Sequence, residues 1–153
     1  KSLVADVLRM LDAAVAARAL QVTVDVDSAL VERPLLADAK RLRQVLLNLI
    51  SNAVKYNVEG GSITITARPL DGATGGLHLK VADTGVGISQ VDLTHLFEPF
   101  NRFGHDRGVI AGTGIGLVIS RRLVQAMGGQ LTAASTPLVG TTFSFSLPAA
   151  PVA

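Results

Sequence analysis

The chain has 153 residues, of which 48% are hydrophobic and 17% are charged, and its net charge is +2. This composition excludes disorder, and the length suits one domain with a buried core over residues 1–153. The weak, scattered positive charge argues against a nucleic-acid partner, and the lack of cysteine excludes a disulfide framework. No apolar run is long enough to span a membrane, and the absence of cysteine fits the cytoplasmic domain that we expect. Because the first residue is Lys1, we also expect the chain to be a fragment of a longer protein.

The first half of the chain is predicted to contain a helix, a strand and a central helix. Residues 3–18 repeat apolar side chains at helical spacing, whereas residues 21–26 alternate valine with polar residues, as a half-buried strand does. Pro34 then breaks the chain, leaving room for only a short strand after it. Asp38 is a helix N-cap residue type, and a helix without internal glycine or proline is predicted to follow, to position 56.

The central helix carries two stripes of different chemistry. One stripe is apolar and is predicted to face the core: Leu42, Leu46, Leu49 and Ala53. The other is polar: Arg41, Asn48, Asn52 and Lys55. Asparagine is a mediocre helix former, so two of them one turn apart beside the apolar stripe favour half-buried amides that bind something. A solvated helix face that happens to carry two amides is the alternative.

Two further strands are predicted to form an antiparallel hairpin. Residues 62–68 and 77–83 flank a segment rich in glycine and other turn residues. Alternation along the second strand places Asp83 on the buried face, where a carboxylate must be paired, hydrated or bound to a ligand. Gly85 and Gly87 follow and would let backbone approach a ligand closely. Taken alone, this segment is more typical of a tight turn at the end of a strand.

A glycine-rich segment late in the chain is predicted to bind an anion. Residues 89–100 include a short helix, and residues 101–111 lack periodicity, which is typical of a functional lid loop. Residues 112–117, Gly-Thr-Gly-Ile-Gly-Leu, then lead into a helix whose N-terminal N–H groups and dipole favour an anion. This is neither a Walker A loop nor a Rossmann fingerprint. Two strands, near residues 130–134 and 141–147, close the chain.

Five motifs follow one another along the sequence: NLISNAVKY at 48–56, DTGVGI at 83–88, FEPF at 97–100, GTGIGL at 112–117 and GTTF at 140–143. In this order they resemble the N, G1, F, G2 and G3 boxes of the catalytic ATP-binding domain of bacterial sensor histidine kinases. The resemblance covers nearly the whole chain. It implies an α+β fold of the Bergerat type, a two-layer α/β sandwich. In that fold three main helices cover one face of a mixed, mostly antiparallel sheet of about five strands.

The same resemblance implies roles for individual residues. Asp83 would accept a hydrogen bond from the adenine amino group, with Thr141 nearby through water, and Tyr56 would lie against the ring. Asn52 would ligate Mg²⁺ through its amide oxygen, and Lys55 would approach the phosphates. The expected catalytic residues are Asn48, Asn52 and Lys55. The expected ATP-binding residues are Asn48, Asn52, Lys55, Tyr56, Asp83, Gly85, Gly87, Ile88, Phe100, Arg102, Gly112, Thr113, Gly114, Ile115, Gly116, Leu117 and Thr141.

The implied activity is that of a protein histidine kinase in two-component signal transduction. The domain would transfer the γ-phosphoryl group of Mg²⁺–ATP to a histidine on a separate dimerisation and phosphoacceptor domain, with a response regulator downstream. His78, His95 and His105 lack the setting of such an acceptor, so we expect it elsewhere in the parent chain and expect this fragment to be monomeric. Leu138 occupies the position of the usual first glycine of the last box, a departure that affects the shape of that loop.

Two alternatives come from other functional classes. The same resemblance in fold extends to ATPases of the gyrase, mismatch-repair and heat-shock chaperone type. Those ATPases have a glutamate four residues before the metal-binding asparagine. That position here is Asn48, and an amide cannot take a proton from water, which argues against hydrolysis. A module that binds ATP and regulates a partner without transferring phosphate is the second alternative.

Overall fold

A computed structural model describes residues 2–27, 39–69, 76–90, 116–136 and 138–148. Within these ranges the helices are α1 (Ser2–Met10), α2 (Asp12–Ala17), α3 (Ala39–Lys55) and α4 (Gly116–Ala126). The strands are β1 (Gln21–Val26), β2 (Ser62–Pro69), β3 (Leu77–Asp83), β4 (Gln130–Thr136) and β5 (Gly140–Leu147). None of the helices in the described ranges combines the length and apolarity needed to cross a bilayer.

The strands form one sheet in the order β1-β2-β3-β5-β4. Strand β1 pairs with β2 in parallel, and the other three pairings are antiparallel. The predicted mixed, mostly antiparallel sheet and the predicted hairpin of β2 and β3 are therefore confirmed. The predicted short strand after Pro34 and the predicted helix within residues 89–100 lie outside the described residues, apart from positions 89 and 90.

The core lies between one face of the sheet and the helices α1, α3 and α4. The predicted apolar stripe of α3 is confirmed, since Leu42, Leu46, Leu49 and Ala53 are all buried. Alternate side chains of β2, β3 and β5 meet this stripe because a strand turns every second side chain to the same face. Ile63, Val81 and Phe145 are among the residues that pack there with almost no exposed surface.

Two predictions about the N-terminal part were only partly correct. Residues 3–18 are helical almost throughout, but the predicted single helix is divided into two helices that meet at Leu11. The N–H of Leu11 is shared between the carbonyls of Val7 and Leu8, each 3.2 Å away, which marks a tightened turn at the junction. In β1 the predicted buried face is incomplete, since Val24 is 41% exposed. Strand β1 stands at the edge of the sheet, where the helices cover it less.

Candidate functional site

A cavity opens where the C-terminal end of α3, the end of β3, the start of β5 and the first turn of α4 come together. The space between its lining residues, counted together with the open solvent at its mouth, is about 410 Å³. Most of its wall is apolar, and the polar side chains Asn52, Asp83 and Thr141 line it from three different elements. The lining residues are Asn52, Tyr56, Asp83, Val86, Gly87, Ile88, Leu117, Thr141 and Phe143. An apolar cleft with a few convergent polar groups is the usual form of a small-molecule site.

Asp83 is the carboxylate among the lining residues of this cavity, and backbone N–H groups hold it in place. Its Oδ1 accepts hydrogen bonds from the N–H of Gly85, at 2.8 Å, and from the N–H of Thr141, at 3.3 Å. Among the residues that the structure describes, none forms a hydrogen bond with Oδ2. Burial raises the pKa of Asp83 above its ordinary value, and the two backbone N–H groups oppose that rise.

Two glycines allow the chain to cross closely around Asp83. A Cβ at Gly85 would lie 2.2 Å from the carbonyl oxygen of Tyr56, so the segment after β3 touches the end of α3 directly. At Gly140 the backbone has a φ of +148°, and a Cβ would lie 2.0 Å from the carbonyl oxygen of Asp83. Only glycine fits at either crossing, and the two crossings fix Asp83 between α3 and β5.

The hairpin of β4 and β5 holds the segment that follows Asp83. The N–H of Leu138 donates to the carbonyl of Val86, at 2.8 Å, and the N–H of Ile88 donates to the hydroxyl of Ser135, at 2.7 Å. Both Val86 and Ile88 line the cavity. This wall is therefore backbone fixed at two points to a hairpin of the sheet.

The C-terminal end of α3 is tied to the sheet by a buried asparagine. The side-chain Nδ2 of Asn57 donates to the carbonyl of Ser62, at 3.0 Å, and its Oδ1 accepts from the Thr84 hydroxyl, at 3.2 Å. The Tyr56 carbonyl accepts from the Val86 N–H, at 3.1 Å. These bonds explain how Tyr56 comes to lie beside the end of β3.

Asn48 is engaged with α4 rather than with the cavity. Its Nδ2 donates to the carbonyl of Gly116, at 3.2 Å, and to the hydroxyl of Ser120, at 3.0 Å. Its Oδ1 accepts from the side chain of Gln44, at 3.0 Å. The half-buried amide that the sequence predicts is thus present, and it joins α3 to the first turns of α4.

The structure brings together seven of the predicted site residues around the cavity: Asn52, Tyr56, Asp83, Gly87, Ile88, Leu117 and Thr141. Asn48, Lys55, Gly85 and Gly116 are not among its lining residues. Lys55 is exposed near the end of α3, and the close approach permitted by Gly85 is to the chain itself. Phe100, Arg102, Gly112, Thr113, Gly114 and Ile115 lie outside the described residues, as does the predicted lid.

Three residues of the site were missed from the sequence. Val86 and Phe143 line the cavity, and Ser135 supports it from behind. Val86 lies between two glycines that were singled out, and Phe143 shares the parity of Thr141. Ser135 lies two positions after Ala133 and four after Leu131, on the inward face of β4, so a polar residue on an apolar face was the available signal.

The architecture and the cavity define the class of two-layer α/β domains that hold a small ligand between a helix and the end of a sheet. Within that class, the chain belongs to the family of histidine kinase-, DNA gyrase B- and HSP90-like ATPases, which matches residues 37–151. The resemblance to histidine kinase catalytic domains that the sequence motifs indicate is therefore confirmed.

Individual relatives agree with this family. The virulence sensor protein BvgS of Bordetella bronchiseptica is 50% identical over 115 residues, which are 73% of this chain and 9% of BvgS. The histidine protein kinase DivJ of Caulobacter vibrioides is 44% identical over 112 residues, 73% of this chain and 18% of DivJ. The crystal structure of full-length ShkA in complex with AMPPNP superposes with a TM-score of 0.82 at 34% identity, covering 99% of this chain and 30% of ShkA. The chain thus spans a small part of each.

Proposed function

We propose that this domain binds Mg²⁺–ATP and donates the γ-phosphoryl group to a histidine on a separate dimerisation and phosphoacceptor domain. The observation that carries the proposal is the cavity, in which an Asp83 oxygen without a partner among the described residues and the Asn52 amide face the same space. Membership of the ATPase family and the AMPPNP complex of the similar ShkA support a nucleotide as the ligand.

The base would occupy the end of the cavity nearest β3 and β5. Asp83 Oδ2 would accept a hydrogen bond from the exocyclic amino group of adenine, because Oδ1 already accepts two N–H groups. The ring would lie in the apolar part of the wall, near Tyr56 and Ile88. Thr141 is 6% exposed and would contribute its hydroxyl beside Asp83, with water between it and the base.

The phosphates would extend from the base toward α3 and the start of α4. Asn52 lines the cavity, and no hydrogen bond from another described residue reaches its side-chain amide, so its oxygen fits a Mg²⁺ ion held jointly with phosphate oxygens. When bound, Mg²⁺ would neutralise negative charge on the β- and γ-phosphates. The exposed ammonium of Lys55, one turn along α3 from Asn52, would add a second positive charge. As the sequence motifs imply, the glycines of 112–116 and Arg102 would also bind the phosphates.

Phosphoryl transfer to histidine breaks the bond between the γ-phosphorus and the β–γ bridging oxygen and forms a bond to an imidazole nitrogen. ADP leaves with the electrons of the broken bond, and the imidazole gives up its N–H proton. Little covalent chemistry is required of the protein, so positioning and charge neutralisation are the roles left to the side chains. The proposed roles of Asn52 and Lys55 are of this kind.

Asn48 supports transfer to a protein over transfer to water. Its amide cannot act as a general base, and both of its side-chain donor hydrogens are committed to α4. Water beside the γ-phosphate would therefore find no base at this position of α3. We propose that the phosphoryl group is retained until the acceptor histidine of the parent chain arrives. A response regulator would then take the group, in the cytoplasm.

The proposal is tested by mixing the 153-residue domain with a separately purified acceptor domain of the parent chain and γ-labelled ATP. We expect label on the acceptor as phosphohistidine, which is stable in base and labile in acid. Binding of ATP by calorimetry without any transfer would favour the nucleotide-sensing alternative. Rapid release of free phosphate by the domain alone would favour the ATPase alternative.

A further inference from the structure

One hydroxyl outside the cavity contacts two residues that line it. Ser135 Oγ lies 2.7 Å from the N–H nitrogen of Ile88, 2.9 Å from the carbonyl oxygen of Gly140 and 2.8 Å from the Thr141 hydroxyl oxygen. Ser135 itself does not line the cavity, while Ile88 and Thr141 do. The Ser135 hydroxyl can therefore orient Ile88 and Thr141, which a ligand would contact, although Ser135 itself would not touch the ligand.

Counting hydrogens assigns a direction to each of these three bonds. A serine hydroxyl has one hydrogen to donate and two lone pairs to accept with. The Ile88 N–H can only donate, and the Gly140 carbonyl can only accept, so the Ser135 hydrogen goes to Gly140. The remaining lone pair of Ser135 then accepts from Thr141, and this is the one assignment in which all three contacts are hydrogen bonds.

This assignment fixes what Thr141 presents to the cavity. Its hydroxyl hydrogen points to Ser135, so only lone pairs of its oxygen are offered to a ligand or to water beside one. Next to it, the ionised carboxylate of Asp83, which also lines the cavity, presents only acceptor capacity, and its Oδ1 already accepts from two N–H groups. Together the two residues form a wall that accepts hydrogen bonds and donates none.

We infer that Ser135 is a specificity-determining positioning residue, because it keeps the Thr141 hydrogen out of the cavity and so selects a base with a donor at this wall. A purine with an amino group at C6 supplies such a donor. A purine with an oxo group at C6 instead places an acceptor beside the Asp83 carboxylate and the Thr141 oxygen, and no hydrogen bond can form with either. The inference rests on the proposed function, since it assumes that the cavity holds the base of a nucleoside triphosphate.

The inference is tested by the ratio of ATP to inosine triphosphate affinity, measured by calorimetry with Mg²⁺ on the 153-residue chain. In Ser135→Ala the Thr141 hydrogen is released and can turn into the cavity to donate to the 6-oxo group. We expect the ratio to fall by roughly two- to tenfold, the range for one hydrogen bond. Ser135→Thr retains the hydroxyl and should restore the ratio.

A double-mutant cycle separates this role from a general structural one. In Thr141→Val no hydroxyl hydrogen remains to be released, so adding Ser135→Ala should leave the ratio unchanged. A structural disturbance would instead shift the ratio in both backgrounds. If Ser135→Ala fails to fold, Ser135→Cys replaces it with the same expectation, because a thiol fills similar space and accepts hydrogen bonds only weakly.

The outcomes also distinguish this inference from the proposed function. If the unmodified chain binds neither nucleotide, the proposed function is wrong and the inference falls with it. If the unmodified chain binds ATP in preference to inosine triphosphate and Ser135→Ala keeps the same ratio, only the role of Ser135 is wrong. Three results together support the role of Ser135. The ratio of ATP to inosine triphosphate affinity falls in Ser135→Ala, stays at its native value in Ser135→Thr, and does not respond to Ser135→Ala in the Thr141→Val background.

Discussion

The substitution Asp83→Asn tests the proposed recognition of the base and separates binding from stability. In the native chain Oδ1 accepts from Gly85 and Thr141, and an amide oxygen can make the same two bonds. The amide NH₂ group then replaces Oδ2 and meets the adenine amino group donor to donor. The loss of this one hydrogen bond and the unsatisfied donor left behind should weaken ATP binding by about 1–3 kcal/mol, or roughly 5- to 150-fold.

The same substitution should not destabilise the fold at neutral pH. Because burial raises the pKa of Asp83, folding disfavours its ionised form, and the charge lowers stability above the folded-state pKa. That penalty is absent below the unfolded-state pKa, where the carboxyl is neutral in both states. Asp83→Asn should therefore unfold at an equal or higher temperature than the native chain at pH 7, and this advantage should shrink as the pH falls through the folded-state pKa and be lost below about 4.

Calorimetric titration with Mg²⁺–ATP and thermal unfolding across pH measure the two effects. Asp25→Asn is the matched control, since Asp25 is an exposed carboxylate of β1 paired with Arg68, at 2.5 Å. It loses the same charge and should bind ATP like the native chain. An ATP affinity unchanged by Asp83→Asn would refute the role of Asp83 in recognition and leave it as a turn residue.

Three further predictions concern packing and backbone. Gly85→Ala should destabilise the domain by about 1–3 kcal/mol in chemical denaturation, since its Cβ would lie 2.2 Å from a carbonyl oxygen, whereas Gly116→Ala, with its nearest neighbour at 4.0 Å, should not. Leu138→Gly should raise the unfolding temperature by the equivalent of up to about 1 kcal/mol, because Leu138 has a φ of +66°, which favours glycine, and its side chain is 90% exposed. A lower unfolding temperature, or the same gain in Val139→Gly, would contradict this prediction. Asn48→Asp should cost about 1–3 kcal/mol of unfolding free energy, because it removes the donors that join α3 to α4, and an unchanged denaturation midpoint would show that this junction contributes little.

The sheet and the apolar side of α3 could be predicted because they depend on periodicity. Alternation predicted all five described strands to within two residues at each end, and the spacing of Leu42, Leu46 and Leu49 predicted their burial. The break at Leu11 could not be predicted, since no proline or glycine marks it and it consists of one shared N–H. The exposure of Val24 depends on β1 being an edge strand, which alternation alone does not show.

Within the site, parity predicted the placement of Asp83 and Thr141 because both lie on strands that pair with each other. It did not predict the partners of Asn48. A stripe of polar residues shows which side of a helix they share, and it does not show that α4 lies close enough to accept two hydrogen bonds from one of them. The role of Ser135 could not be predicted for a similar reason, since it depends on three contacts with residues that are 5, 6 and 47 positions away in the chain.

The pairing of β3 with β5 has a consequence for how the domain folds. Asp83 pairs with Thr141, which lies 58 positions later in the chain, and the two strands must meet before the cavity has both of these polar side chains. Contacts of such sequence separation form late, because the entropy of closing the loop has to be overcome first. No early local unit can therefore bind the ligand, and ligand binding should be coupled to global rather than local unfolding. Added nucleotide should then raise the midpoint of the whole cooperative transition in proportion to the logarithm of its concentration.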